Sequence, residues 1–433
     1  MSEKITRRTF AKAGAAAVGI SAVSASRVLG ANDRVRLGFV GVANRGCQVM
    51  RGFLDHKDAQ VVALCDVDKK ILAAATAKAG GKVDTCADFR KLYERKDLDA
   101  VVIATPDHWH AIQTVEACQA GLDVYVEKPL SITVKEGRHM VDAARRTKRV
   151  VQVGLHRRSS KLYADLAKTV ASGAIGKVTV ARCYRLSNMH PKGMGKCTTG
   201  KAPDHLDWDF WLGPRPARPY QANIHPYKFR WWHLYSSQMA NWGVHYLDAI
   251  RWATGETAPS SVCAMGGKFA VDDDRTVPDT MEAVFEFASG RLAVFGQYEA
   301  AGNPALANGE IEFRGTQATV YSSGRQYEVV PERGGQFQDR TPRTKAKTVK
   351  ATGDNRNLTS LHARNFLDCL KSRRRPNADV EIGHRSTTMA LLANISLATR
   401  HRLEWDAQRE VITNSAEANR LLHYEYRKPW VLR

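Results

Sequence analysis

The sequence predicts an α/β first half, built as a doubly wound parallel sheet, followed by an α+β second half richer in strands. Three observations carry this. Continuous apolar strands alternate with helix-like segments from Val35 to Gly154, the pattern of a parallel sheet covered on both faces. From Gly176 onward, strand-like runs follow one another across short turns such as Ser289-Gly290 and Gly315-Thr316, as hairpin-connected strands do. The length of 433 residues exceeds one ordinary core, so two domains plus extras are expected.

Taken in order, the chain opens with Arg7-Arg8, Phe10 and a small-residue run from Ala13 to Ala25. This resembles a twin-arginine export signal, with small-residue cleavage points after Ala25 or Ala31. The competing reading, an amphipathic first helix, is disfavoured because the Ala-Gly run has no polar face. Residues 1–31 are therefore set apart as a signal, 32–154 as the nucleotide-binding domain and 155–433 as a substrate-binding domain. Strand Val35–Val40 leads to a helix over Gly46–Leu54 and then to the strand "AQVVALCDVD". Helices over Lys69–Ala79 and Asp88–Glu94 precede the strand "DAVVIATP", and a helix over His110–Ala120 precedes the strand Asp123–Val126. A helix over Val134–Thr147 and a strand over Val150–Gly154 complete this half. Further helices are expected at Lys161–Ser172, Met239–Thr254, Leu361–Leu370 and His384–Thr399. The intervening strands are "GKVTVARCYRL", "SVCAMGGKFAV", "MEAVFEFASG", "RLAVFGQYEA", "GEIEFRGT" and "QATVYSSG".

In such sheets ligands sit beyond the carboxyl ends of the strands, and the polar clusters of this sequence fall there. After the first strand, Gly41-Val42-Ala43-Asn44-Arg45-Gly46 follows the dinucleotide fingerprint G-x-G-x-x-G with alanine at its middle glycine. After the second strand comes Asp66, placed to accept both hydroxyls of an adenosine ribose and to repel a 2′-phosphate. This favours NAD over NADP. Arg45 tempers the preference, since a guanidinium can serve a phosphate. The next strand ends run into "ATPDHWH" and "YVEKPLS".

Gly41–Gly46, Asp66, "ATPDHWHAI", "EKPLSITVKEG" and "ASGAIGKVTV" together resemble the glucose–fructose oxidoreductase and inositol dehydrogenase family, Gfo/Idh/MocA. So do "LDWDFWLGP", "FRWWHLYSSQMANWGVHYLDAIRW" and "YRKPWVL", which extends the likeness over nearly the whole chain beyond the signal. The resemblance implies a Rossmann domain followed by a domain with a large open antiparallel sheet, the C-terminal helices packing back on the first domain. It implies a homo-oligomer formed through that sheet.

The resemblance also assigns roles. Lys128, between Glu127 and Pro129, matches the lysine that meets both cofactor and reacting hydroxyl. As a proton acceptor it needs a pKa well below about 10.4, which burial and a cationic neighbour provide. The motif at Asn241 to His245 commonly carries an acid where this chain has Asn241, so proton handling falls to Lys128 and His245. On a regular helix Asn241, His245 and Asp248 share one face. Thr105, Pro106 and His110 match the family's support for the cofactor; Asp107 stands where asparagine is frequent. Arg158 matches a residue near substrate, with His156 beside it. Among Trp208, Trp211, Trp231, Trp232 and Trp242, Trp242 is the first candidate to stack on a sugar.

Composition narrows the alternatives. No run approaches the roughly 20 apolar residues of a membrane-spanning helix. The formal charge of +21 favours anionic partners, yet the basic runs Arg343–Gly353 and Lys371–Pro376 lack interleaved aromatics, so solvated loops are expected and nucleic acid is not. The eight cysteines include no C-x-x-C pair, and no metal site is expected. A Cys183–Cys197 bridge stays open. The expected activity is NAD-dependent oxidoreduction of a carbohydrate, glycoside or polyol. An exported enzyme that leaves with its cofactor bound suits a redox-neutral hydrolase, lyase or epimerase instead. A sugar-binding protein without catalysis is the third reading.

Overall fold

A computed structural model describes residues 34–80, 82–353 and 357–433; the proposed export signal, residues 1–31, lies outside them. Six parallel strands form the first sheet: β1 (Val35–Val40), β2 (Ala59–Cys65), β3 (Asp84–Cys86), β4 (Ala100–Ile103), β5 (Asp123–Val126) and β6 (Val151–Val153). Their spatial order is β3-β2-β1-β4-β5-β6, the doubly wound arrangement, whose order reverses beside β1. The central strands β1, β4 and β5 are buried on both faces, as their unbroken apolar runs require, whereas the edge strand β3 is largely exposed. Helices on either side start where polar residues cap them. Asp68 accepts the Lys70 and Ile71 amides, and Thr133 and Glu136 form a reciprocal capping box on Val134–Arg146.

The second half is dominated by a large sheet with helices Lys161–Ala171, Val244–Thr254 and Val380–Thr399 packed over one face. Neighbouring strands are mostly antiparallel, with one correction to the expected all-antiparallel sheet. Strand Val178–Asn188 runs parallel to Leu292–Tyr298. The chain leaves the sheet between them for the excursion over 189–260, so no hairpin dictates the pairing direction. Helix Leu358–Ser372 returns to the first domain, where Phe366 packs against Phe53 and Tyr125 at ring distances of 6.0 and 5.9 Å.

Other details differ from the sequence reading. The run Arg343–Gly353 holds an edge strand, Lys347–Lys350, paired to Gln326–Pro331; it is mostly exposed, so no alternation betrayed it. Helices expected from Leu361 and His384 begin earlier, at Leu358 and Val380, behind the caps Asn357 and Asp379. Arg373 is tied to Asp123 rather than simply solvated. Cys183 and Cys197 form no bridge: both are free, Cys183 buried in its strand with its thiol on the Val294 carbonyl. No helix of the described residues is long and apolar enough to cross a membrane.

Candidate active site

The carboxyl ends of β1, β2, β4 and β5 open onto a cavity of about 350 Å³, bounded on its far side by residues of the second half. Its floor is the turn after β1. Gly41 has φ +80°, and a Cβ there would meet the Thr105 nitrogen at 2.7 Å; a Cβ on Gly46 would meet the Gly41 oxygen at 2.0 Å. Glycine is required at both, for conformation and for closeness. Ala43 has φ −68° and ψ −157°, extended backbone that tolerates a methyl. Helix Asn44–Leu54 starts there without a side-chain cap. Its first N–H groups are thus unpaired by side chains where Ala43, Asn44 and Arg45 line the cavity, a setting suited to a pyrophosphate.

Asp66 follows β2. Its carboxylate accepts the Val42 amide at 2.9 Å and the Asp68 amide at 3.0 Å, which fixes its direction at the cavity wall. Burial outweighs these hydrogen bonds and pushes its pKa up to about 6. Arg45 does not turn toward this end of the site. It pairs with Glu127 at 3.0 Å and contacts the His156 ring, so it is not available to a phosphate beside Asp66.

Thr105 and Pro106 line the cavity after β4, and the Thr105 hydroxyl donates to Gln113 at 2.8 Å. His110 sits behind them. It is fully buried, with one ring nitrogen 2.8 Å from the Pro129 oxygen and the other 3.0 Å from the Thr105 oxygen. It ties two cavity loops together rather than facing the cavity.

Lys128 projects from the end of β5, before a cis Pro129. Its Nζ donates to the Asn241 main-chain oxygen at 2.9 Å and to the Asn241 side-chain oxygen. Burial lowers its pKa to about 8, partly opposed by Glu127 and Asp107. A neutral amine has two N–H bonds, and Asn241 offers two acceptors; the lone pair is then left to take a proton. The amide does this without the negative charge that would hold the lysine protonated. His245 borders the same cavity, 6.4 Å ring to ring from both His156 and Trp242. Burial first, then Lys128 and Arg157, push its pKa well below the usual imidazole range, so it is neutral at pH 7.

The expectation that Asn241, His245 and Asp248 share one face holds for Asn241 and His245, which both line the cavity, and is corrected for Asp248. Met239–Gly243 is a π-helical turn, and the α-helix begins at Val244; the wider turn changes which residues share a face. Asp248 turns away into a buried pair with Arg158, at 2.9 Å, and a hydrogen bond from Ser386. Arg158 is held there, stacked on Trp252, and does not line the cavity. Of the five tryptophans, Trp211 and Trp242 line it, whereas Trp231 and Trp232 spend their indole N–H groups on Glu299 and the Asn223 carbonyl.

Among the lining residues to which the sequence reading gave no role are Asp107, noted there only as standing where asparagine is frequent, and Arg230. Asp107 accepts a hydrogen bond from Ser236, and burial raises its pKa. Arg230 comes from a segment whose only sequence cue was its run of aromatics.

Comparison with known proteins agrees with this geometry. Residues 35–155 match the NAD-binding Rossmann fold of an oxidoreductase family, Gfo/Idh/MocA, and residues 160–432 match that family's C-terminal α/β domain. A glycosyl hydrolase family 109 protein of Shewanella sp. (strain W3-18-1) is 35% identical over 125 residues, 27% of each chain. The match thus spans about a quarter of that relative's length. The rhizopine catabolism protein MocA of Rhizobium meliloti is 23% identical over 257 residues, covering 59% of this chain and 69% of that one. A levoglucosan dehydrogenase, solved with NADH and levoglucosan, superposes with a TM-score of 0.66 at 18% identity, over 86% of this chain and 99% of its own. Both halves of the chain, and the glycine turn, acid and lysine between them, therefore place this protein in the Gfo/Idh/MocA oxidoreductase family.

Proposed function

We propose that the protein is an NAD-dependent oxidoreductase acting on a hydroxyl of a carbohydrate, glycoside or polyol. The observation that carries this is Lys128, set in the cavity with its pKa near 8 and both amine protons directed at Asn241. The turn 41–46 and Asp66 would hold the dinucleotide, with Thr105, Pro106 and Glu127 along its path. Bound there, the nicotinamide supplies a hydride acceptor. Lys128 takes the hydroxyl proton, and neutral His245 orients that hydroxyl through a hydrogen bond. Trp242 presents an aromatic face to the sugar. His110 and Arg158 act at one remove, by holding the loops and helices that carry these groups.

The test is direct. Purified protein is denatured, the released nucleotide identified, and a panel of sugars and glycosides followed by mass spectrometry and by reduced-nicotinamide absorbance. If no nicotinamide is released and none binds when added, the reading fails.

A redox-neutral variant, acting on glycosides with the cofactor retained, is the second reading. The likeness to a glycosyl hydrolase family 109 protein supports it, as does the arginine pair Arg7-Arg8 if it directs export of the folded, cofactor-loaded chain. Product formation without net change in nicotinamide absorbance would favour it. We also propose a homo-oligomer joined through the outer face of the large sheet, where Met265, Val284 and Leu292 are exposed.

A further inference from the structure

The cations around the cavity are not equally engaged. Arg45 is paired with Glu127, and Lys128 is held by Asn241. Arg230 has no carboxylate partner among the described residues. Its guanidinium lies 3.8 Å from the Tyr227 ring and 5.6 Å from Trp231, and its buried Nε has no hydrogen-bond partner. Arg185, part-buried, is a second cation without a carboxylate partner among the described residues. Along its strand Ala181 and Cys183 face the core, and the alternation puts Arg185 on that same face two residues later. There it stacks 3.9 Å above Trp242 and forms no ion pair among the described residues. Two guanidiniums stacked on aromatic rings, that of Arg230 disfavoured first by burial and also by the charge of Arg185, cost stability unless an anion joins them. Native proteins retain such unpaired groups mainly at sites of function.

Their position says which molecule brings the anion. The dinucleotide's phosphates belong at the turn 41–46 and its ribose at Asp66. Trp242 follows Asn241, which holds Lys128; Trp242 and Arg230 line this reacting end of the cavity, and Arg185 stacks on Trp242. We propose that the substrate is an anionic sugar, a carboxylate- or phosphate-bearing one, whose charged group is bound by the Arg230 guanidinium with Arg185 beside it. Among the described residues, Asp107 is the carboxylate whose charge reaches Arg230; it is hydrogen-bonded by Ser236, and its burial favours the neutral form, which limits repulsion. The proposal rests on the reading of this cavity as a carbohydrate site.

The experiment uses the full protein supplied with NADH and follows tryptophan fluorescence as sugars are titrated in matched pairs. The pairs are D-glucuronate against D-glucose, D-galacturonate against D-galactose, and D-glucose 6-phosphate against D-glucose. At least one acid is expected to bind tenfold or more tightly than its neutral partner, with a preference that falls as salt rises. The carboxylate and phosphate arms show which anion is meant. Arg230→Gln should remove the preference while NADH is still bound, and Arg185→Gln should reduce it. Equal binding within every pair, no binding by any acid, or a preference that survives Arg230→Gln overturns the proposal. In a parallel assay with NAD+ in place of NADH, acids that bind without ever producing NADH would sink the oxidoreductase reading alone; NADH production confined to neutral sugars would sink this proposal alone.

Discussion

At Lys128 the protonation state decides the chemistry. Its amine must be neutral to accept a proton, and burial lowers its pKa to about 8. For oxidation, kcat/KM should therefore rise with pH up to a limb near 8 and fall about tenfold per unit below it. Lys128→Ala should cut kcat by about 10²–10⁴ and erase that limb. Asn241→Asp makes the sharper test. A carboxylate in place of the amide stabilises the charged amine, so the limb should move alkaline by about 1–3 units; an unmoved limb would mean that Lys128 is not the titrating base. At Ala43 the negative φ tolerates a methyl. Ala43→Gly should keep NAD affinity within about twofold and Ala43→Val should weaken it by tenfold or more, by fluorescence titration, because a branched side chain obstructs the close approach of a pyrophosphate.

Among the elements, the π-helical turn Met239–Gly243 matters most, because it sets how Asn241 and His245, which both line the cavity, stand relative to each other. Asn241 goes to Lys128, His245 to the cavity, and Asp248 to Arg158. No hydrophobic period announces such a turn: it adds one residue to one turn and leaves the apolar pattern on either side intact. The docking of Leu358–Ser372 on the first domain is a second decision at this scale. Phe366 is fully buried against Phe53 and Tyr125, and Tyr125 in turn meets His156 at 3.0 Å. Phe366→Ala should cost roughly 3–5 kcal/mol in denaturant unfolding. It should also weaken NAD binding, since Arg45 and Glu127 share the same packed neighbourhood.

For the whole molecule, the large sheet presents one face to its helices and the other outward. Cross-strand neighbours Cys263, Val284 and Val294 lie on the outer face, with Met265 71% exposed beside them. These exposed apolar side chains are the basis of the oligomer proposed above. By light scattering, the mass in solution is expected to be at least twice that of one chain, 48.0 kDa before any cleavage of the leader, and Val284→Arg should return it toward the single-chain value. A native mass equal to one chain would remove the oligomer from the account.

By itself, the sequence determined most of the succession of elements in the first half and the polar clusters at strand ends, though not short strands such as Asp84–Cys86 and Gln326–Pro331. Buried parallel strands must be continuously apolar, and glycine is compulsory where a Cβ would strike backbone, as at Gly41 and Gly46. Asp66 and Lys128 were legible for the same reason, since each follows a strand that ends at the cleft. Tertiary structure alone decided the partners of long side chains. Arg45 could have met a phosphate but meets Glu127; Arg158 could have met substrate but meets Asp248. Such side chains reach several ångströms from their backbone, and what they meet comes from residues far along the chain. Arg230 entered the site in that way. A strand pattern places a backbone, but only the packed fold shows which charges are neutralised and which are left facing the cavity.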